Sequence, residues 1–332
     1  MLTGIGYVLL SGICNGLFTA PMKIIRRWKW ENIWLVFVLT SCLVMPFTAV
    51  TLTVPNYAVL FHRAPSAAVR FAMIFGFAWG FGAILFGRAV DRLGVSVANT
   101  LVIGLSSALG SLVPLFLNGK IMQFDRQRGL LYLGVLVFIA GVWICGSAGR
   151  KRDAVRASSQ SSAAGYIFAI GAGVMSAVFN IGYALALPIA AAGEQMGYSR
   201  FVGTNCIWLL MLACGAVPNI IYCAALAGRH HSGILFVSHA PARAWLLSIL
   251  MGILWGGSIF LYGAATPLLG DIGPSIGWPL SLAVALVTAN LMGVWLREWR
   301  GAGRDGVRLM RIGIGTLFAA ILLCAVSAKA GS

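Results

Sequence analysis

The chain has 332 residues, 60% of them hydrophobic and only 10% charged, with a mean hydropathy of +0.91; soluble domains carry about 25% charged residues, so this surface is not made for water. The 24 Lys and Arg against 8 Asp and Glu give a formal net charge of +16. These charges sit in short clusters between apolar runs, the pattern of a polytopic membrane protein, which argues against a nucleic-acid partner and for a lipid bilayer as the surroundings.

Long continuous runs select helices over a barrel, whose strands would alternate. The first predicted span, 2–22, is uncharged and is followed by Lys23, Arg26, Arg27 and Lys29. A cleaved signal peptide has the opposite order, so the segment is expected to be retained with its start outside. Span 2 covers 32–53. Span 3, 70–87, carries Trp79 inside the run, and span 4, 94–117, carries Asn99 and Thr100. Span 5 covers 129–147. The loop 148–163 holds Arg150, Lys151, Arg152, Arg156 and a Ser-rich stretch, a linker composition. Span 6, 164–190, carries Asn180 and Tyr183, and span 7, 201–227, carries Thr204, Asn205 and Asn219. Span 8, 244–267, carries Trp255, span 9, 273–296, carries Asn290, and span 10 covers 309–328. Each is long enough for a hydrocarbon core of ~30 Å. Trp28, Trp30, Trp34, Trp278, Trp295 and Trp299 fall near span ends and are expected at the interfaces. Between spans 8 and 9, the stretch 267–279 has Pro267, Pro274 and Pro279 with Gly270, Gly273 and Gly277, the composition of a broken element.

Loops after the odd-numbered spans, with Arg308 and Arg311 assigned to the last, hold 17 of the 24 Lys and Arg, leaving 7 for the other side. The richer side is cytoplasmic, so both termini are expected in the periplasm. The linker 150–163 then separates two five-span halves, 1–149 and 164–332. An odd number of spans per half makes equivalent helices run in opposite directions, the inverted-repeat plan of many secondary transporters. Trp79-Gly80, Gly87 and Leu93-Gly94 recur as Trp255-Gly256, Gly263 and Leu269-Gly270 at one constant offset of 176. More faintly, Gly12 and Phe18 answer to Gly173 and Phe179. The fold class expected is an all-α integral membrane protein of ten transmembrane helices in two inverted five-helix repeats.

The seven cysteines form no CxxC pair and the four histidines have no ligand spacing, so neither a metal site nor a disulfide framework is expected. The eight carboxylates fall in loops or at span ends, and no hydrolase or P-loop motif occurs; nothing here reads as an enzyme. Neutral polar residues inside the spans are more informative, because a buried amide without a partner costs about 4–8 kcal/mol in an alkane-like medium. Asn15, Asn99, Thr100, Asn180, Tyr183, Thr204, Asn205, Asn219 and Asn290 therefore line a polar cavity or hold helices together. Trp79 and Trp255 lie too deep for an interfacial belt. An indole there can stack on the apolar face of a sugar ring, or it packs between helices. Gly12/Gly16, Gly76/Gly80 and Gly252/Gly256 allow close helix contact.

The first basic loop reads Ala20-Pro21-x-Lys23-x-x-Arg26-Arg27-Trp28-x-Trp30-Glu31-x-x-Trp34. Span 3 reads Phe75-Gly76-x-x-Trp79-Gly80-x-Gly82, Asn118-Gly119 closes span 4, and Leu296-Arg297-Glu298-Trp299-x-x-Ala302-Gly303-Arg304 follows span 9. Over nearly its whole length the chain resembles the L-rhamnose–proton symporter family of the drug/metabolite transporter superfamily. The resemblance implies a multi-pass protein of the bacterial inner membrane, taking up a deoxy-sugar with the proton as coupling ion and no other cofactor. It also marks departures from the family pattern. Ala83 and Leu85 stand where that pattern has polar residues, Leu187 where it has Lys, and Pro274 where it has Asp. Proton coupling needs a titrating group in the pathway, and Asp271 is the nearest replacement, with Glu194 a second. The expected substrate contacts are Trp79, Trp255, Asn180, Tyr183, Asn290, Asn99 and Asn205, around a small polar solute bound near the midplane. Export or uncoupled passage of another solute, and a sensor or scaffold role, stay open on these residues.

Overall fold

Backbone polar groups have no water to bond within a bilayer, so a chain of this composition satisfies them inside helices. In the computed structural model the described residues are 2–93, 95–117, 119, 121–122, 125–153, 163–238, 242–270, 272–296, 299 and 303–330. Among them there is no β-strand, and ten helices are long and apolar enough to cross a membrane. These are α1 (Leu2–Leu17), α2 (Trp30–Thr53), α3 (Ser66–Leu93), α4 (Val95–Leu117) and α5 (Arg126–Asp153), then α6 (Ala163–Gln195), α7 (Arg200–Arg229), α8 (Ala242–Ala265), α9 (Gly273–Trp295) and α10 (Arg304–Ala330).

Local chemistry sets the ends. The Ser199 hydroxyl accepts a hydrogen bond from the Val202 N–H at 3.3 Å and caps α7. Pro274 occupies the first turn of α9, where its missing N–H leaves no ladder bond unmade. Acidic Asp305 opens α10, and basic residues close α3 and α5, matching the helix dipole. Several helices outrun the predicted spans: α5 continues to Asp153 and α10 begins at Arg304. Hydropathy marks the part in lipid, whereas the hydrogen-bond ladder runs on through charged residues into the aqueous phase.

Helix α2 is not regular. It consists of Trp30–Val38, a π-helical turn at Leu39–Val44, and Met45–Thr53. The cause is Pro46, which has no N–H to offer Cys42 and whose ring would crowd that carbonyl. The ladder widens instead, and the Met45 N–H bonds the Thr40 carbonyl five residues back.

Helix α1 packs on α8 and α9, and α6 packs on α3 and α4. Helix α2 packs on α7 and α8, α7 packs on α2 and α3, α4 meets α9, and α5 lies against α10. The glycine pairs allow this closeness. A Cβ on Gly12 would lie 2.5 Å from Val284 Cβ, and one on Gly16 would lie 2.5 Å from the Ala285 carbonyl oxygen, both on α9. Gly80 lies equally tight against Pro218 of α7, and Gly252 against Thr40 of α2. Large apolar side chains such as Leu136, Trp143, Ile167, Ile221 and Leu322 are exposed, as lipid-facing residues are.

Two expectations about the tryptophans are corrected. Trp28 and Trp278 are not interfacial anchors but buried. The Trp28 indole meets Trp245 and Phe236 edge-on with centroids 5.1 and 5.2 Å away, and Trp278 turns into the bundle. Proximity to a span end does not say which way an indole points. The broken stretch begins as a 3₁₀ turn, Thr266–Leu269, and ends where α9 starts at Gly273, so the irregular backbone joins two helices rather than interrupting one.

Candidate functional site

At the centre of the bundle the aromatic side chains form one connected ladder. Trp79 of α3 and Trp255 of α8 stack with centroids 5.3 Å apart and planes 8° from parallel. Phe179 of α6 leans on Trp79 at 4.7 Å and stacks on Trp208 of α7 at 5.5 Å. Trp208 in turn lies 4.3 Å from Tyr183, nearly parallel at 5°. Tyr262 of α8 closes this end, 5.6 Å from Tyr183 and 5.6 Å from Trp278. On the other side Phe37 of α2 abuts Trp255 at 5.8 Å. Small residues make room for the rings: a Cβ on Gly215 would come within 2.6 Å of the Trp79 ring, and one on Gly110 within 2.6 Å of Trp278.

The polar groups on this ladder are neutral and mostly committed to one another. Asn180 is fully buried; its amide NH₂ donates to the carbonyls of Gly110 at 2.8 Å and Pro274 at 3.2 Å, and its Oδ1 accepts the Tyr262 hydroxyl. Tyr183 and Thr266 share a hydroxyl–hydroxyl bond of 2.5 Å. The Trp278 N–H donates to the Ser106 carbonyl and hydroxyl, both at 3.2 Å, and the Ser106 hydroxyl donates to Ser176 at 2.8 Å. Asn219 donates to the carbonyls of Gly80 and Gly215 and accepts the Trp34 N–H at 3.1 Å. Two buried polar atoms of α7 are without a protein partner, Asn205 Oδ1 and the Trp208 N–H.

Of the residues singled out from sequence, Trp79, Trp255, Asn180 and Tyr183 meet in this cluster. Asn205 is buried on α7 with its carbonyl oxygen unpaired. Asn290 bonds back to the Leu286 carbonyl of its own helix at 2.8 Å and is not part of the ladder. The side chain of Asn99 and the whole of Asp271 lie outside the described residues. Glu194 pairs with Arg200 at 3.9 Å, half-exposed at the α6–α7 connection. Phe37, Phe179, Trp208, Tyr262 and Trp278 were not among the candidates. For Trp208 the signal exists: like Trp79, it is an indole inside an apolar run rather than at its end. Nothing in the sequence distinguishes Phe37 or Phe179 from other core phenylalanines.

Flat apolar ring faces beside neutral donors and acceptors suit a neutral, hydroxyl-bearing solute. Among the described residues no three His, Cys, Asp or Glu side chains are grouped to hold a metal ion.

The comparisons with known proteins agree along the chain. The family model for L-rhamnose-proton symport protein matches residues 1–329. The L-rhamnose-proton symporter of Cronobacter sakazakii is 26% identical over 320 residues, covering 93% of each chain. Those of an Escherichia coli O1:K1 strain and of Shigella boydii serotype 18 are each 25% identical with the same coverage.

Proposed function

Because this chain belongs to the L-rhamnose-proton symport family, a family of transporters and not of enzymes, we propose that it carries L-rhamnose together with protons across the bacterial inner membrane. The observation that carries this reading is the family match over residues 1–329. The aromatic ladder supports it, since the parallel indoles of Trp79 and Trp255 offer the C–H face of a pyranose a hydrophobic surface between two helices.

Alternating access needs two bodies that rock about a central site. Pairing α1 with α6, α2 with α7, and so on to α5 with α10, turns the α1–α8 contact into α6–α3 and the α1–α9 contact into α6–α4. Likewise Phe18 stacks on Phe37 at 5.5 Å, and its counterpart Phe179 stacks on Trp208 at 5.5 Å. This exchange supports two inverted halves, residues 1–149 and 164–332, joined by a cytoplasmic linker, with both termini periplasmic. The substrate sits between the halves against the half-buried rings of Trp79 and Trp255; behind them Asn205 Oδ1 and the Trp208 N–H on α7 are buried without a protein partner.

One observation favours a second reading. Leu187 and Pro274 stand where the resemblance to the family implies charged residues, which suits uncoupled facilitation. Reconstitution into proteoliposomes separates the two. Proton symport gives L-rhamnose uptake that an uncoupler abolishes; a facilitator gives flux that the uncoupler leaves unchanged. Absence of flux for every monosaccharide tried would refute the sugar reading altogether.

A further inference from the structure

Among the carboxylates whose side chains are described, Glu31 alone is buried: its side chain is 4% exposed, against 43% for Glu194 and 83% for Asp305. It stands in the first turn of α2. A carboxylate in such surroundings requires partners, and its partners come from about 200 residues away, on the α7–α8 connection. Ser232 donates to Glu31 Oε1 at 2.7 Å, and His230 Nδ1 meets the same oxygen at 2.9 Å. Next to them Asn32 donates to the Ser232 carbonyl at 3.0 Å, and Lys29 donates to the His230 carbonyl at 3.1 Å. His231 holds a left-handed backbone, φ 50°, to present the two side chains. Four bonds thus tie the basic loop of one half to a loop of the other, with Glu31 at their centre.

This clasp is mechanically joined to the aromatic site. From Trp30, beside Glu31, rings step through Trp34 at 5.1 Å and Phe37 at 4.7 Å to Trp255 at 5.8 Å. The Trp34 N–H also reaches Asn219, which holds the Gly80 carbonyl next to Trp79. Immediately beyond Phe37 lies the π-helical turn Leu39–Val44, the kind of local ladder defect at which helices bend.

Resting on the transport reading, we propose that Glu31, His230 and Ser232 form the latch of the cytoplasmic gate. While Glu31 is held by the opposite loop, the start of α2 stays against α7 and closes the aromatic site on that face. Releasing Glu31 lets the first half of α2 swing about the π turn and draws Trp34 and Phe37 away from Trp255. Glu31 is a positioning residue: it touches no substrate and sets which face the site opens to.

Two measurements on the full chain test this. Hydrogen–deuterium exchange of the purified protein follows peptides covering 28–34 and 228–235. L-Rhamnose counterflow in oriented proteoliposomes gives the ratio of apparent KM at the two faces. A hydrogen bond to a charged group shifts an opening equilibrium by at least about tenfold, so Glu31→Gln is expected to raise exchange in both peptides together and to move the KM ratio about tenfold. Ser232→Ala, which removes one bond and no charge, moves both in the same direction by less. The control Asp305→Asn, at an exposed carboxylate on α10, moves neither. Exchange that rises while the KM ratio stays at its wild-type value overturns the proposal, because Glu31 then only anchors a loop; unchanged exchange overturns it as well. Should the wild-type chain show no L-rhamnose flux, the sugar reading fails on its own, and the latch is then decided by exchange at the π turn Leu39–Val44, which rises in Glu31→Gln if α2 swings and stays at its wild-type value if Glu31 only anchors a loop.

Discussion

The indole of Trp79 on α3 faces that of Trp255 on α8 across the bundle, 5.3 Å apart and 8° from parallel. Both are only half-buried, so part of each ring remains available to a ligand. A stacked pair contributes about 0.5–1.5 kcal/mol beyond its area, and a sugar lying on one ring competes with or extends that stack. Trp79→Ala and Trp255→Ala are each expected to raise the KM for L-rhamnose by about tenfold, near 1.4 kcal/mol of binding, while Trp→Phe at either position loses much less. Uptake kinetics in proteoliposomes measure this; wild-type KM in both alanine variants would leave the pair as packing alone.

Asn180 serves the fold more than the solute. Its NH₂ joins α6 to Gly110 of α4 and to Pro274 at the start of α9, and its oxygen takes the Tyr262 hydroxyl of α8. Asn180→Ala leaves these buried partners short, at about 1–3 kcal/mol for each one left unsatisfied. The thermal midpoint in detergent is expected to fall by several degrees. Tyr262→Phe falls less, and the double variant falls by less than the sum of the two, because they share one network. Additive effects would show that Asn180 and Tyr262 act independently.

What the sequence made legible follows from which forces act along the chain. Ten spans could be read because lipid imposes a length and a composition on each segment separately, and the glycine pairs because helix contact demands small residues at helical spacing. Trp79 and Trp255 were legible as indoles set inside apolar runs, too deep for an interfacial belt. Helix ends such as Asp153 and Arg304 were not, since hydropathy reports the bilayer and not the ladder. The Glu31 latch was invisible for a different reason. Its partners, His230 and Ser232, look like ordinary loop residues, and only the packing of α2 against α7 brings them to a carboxylate about 200 positions earlier. The commitment of Asn180 to backbone carbonyls is hidden in the same way, because the acceptors are not side chains.

Gly270 links α8 to α9 with φ +83° and ψ −165°, a conformation essentially restricted to glycine. No neighbouring atom would crowd a Cβ there, so the cost of Gly270→Ala is conformational alone, about 1–3 kcal/mol. Gly6→Ala is the matching control: it lies inside α1, also has open space around it, and is expected to be neutral or to stabilise by up to about 1 kcal/mol. Thermal unfolding of the two variants side by side checks the difference. Equal midpoints would mean that the connection before α9 relaxes to a backbone that alanine accepts.

The orientation makes the most exposed prediction. By the spans read from hydropathy, the loops after spans 1, 3, 5, 7 and 9, together with the charged helix ends that flank them, carry 17 of the 24 basic residues. Short loops rich in Lys and Arg stay in the cytoplasm. Alkaline phosphatase fused after residue 332 is therefore expected to be active and a fluorescent protein fused there dark, with the reverse for fusions within 154–162. The same experiment fixes the direction of the latch, since Lys29 and His230 lie on loops of the basic set and Glu31 stands in the helical turn next to Lys29. A C-terminal fusion that fluoresces would place those loops in the periplasm. Glu31 would then close the outer face of the site, and the sign of the KM shift in Glu31→Gln would invert.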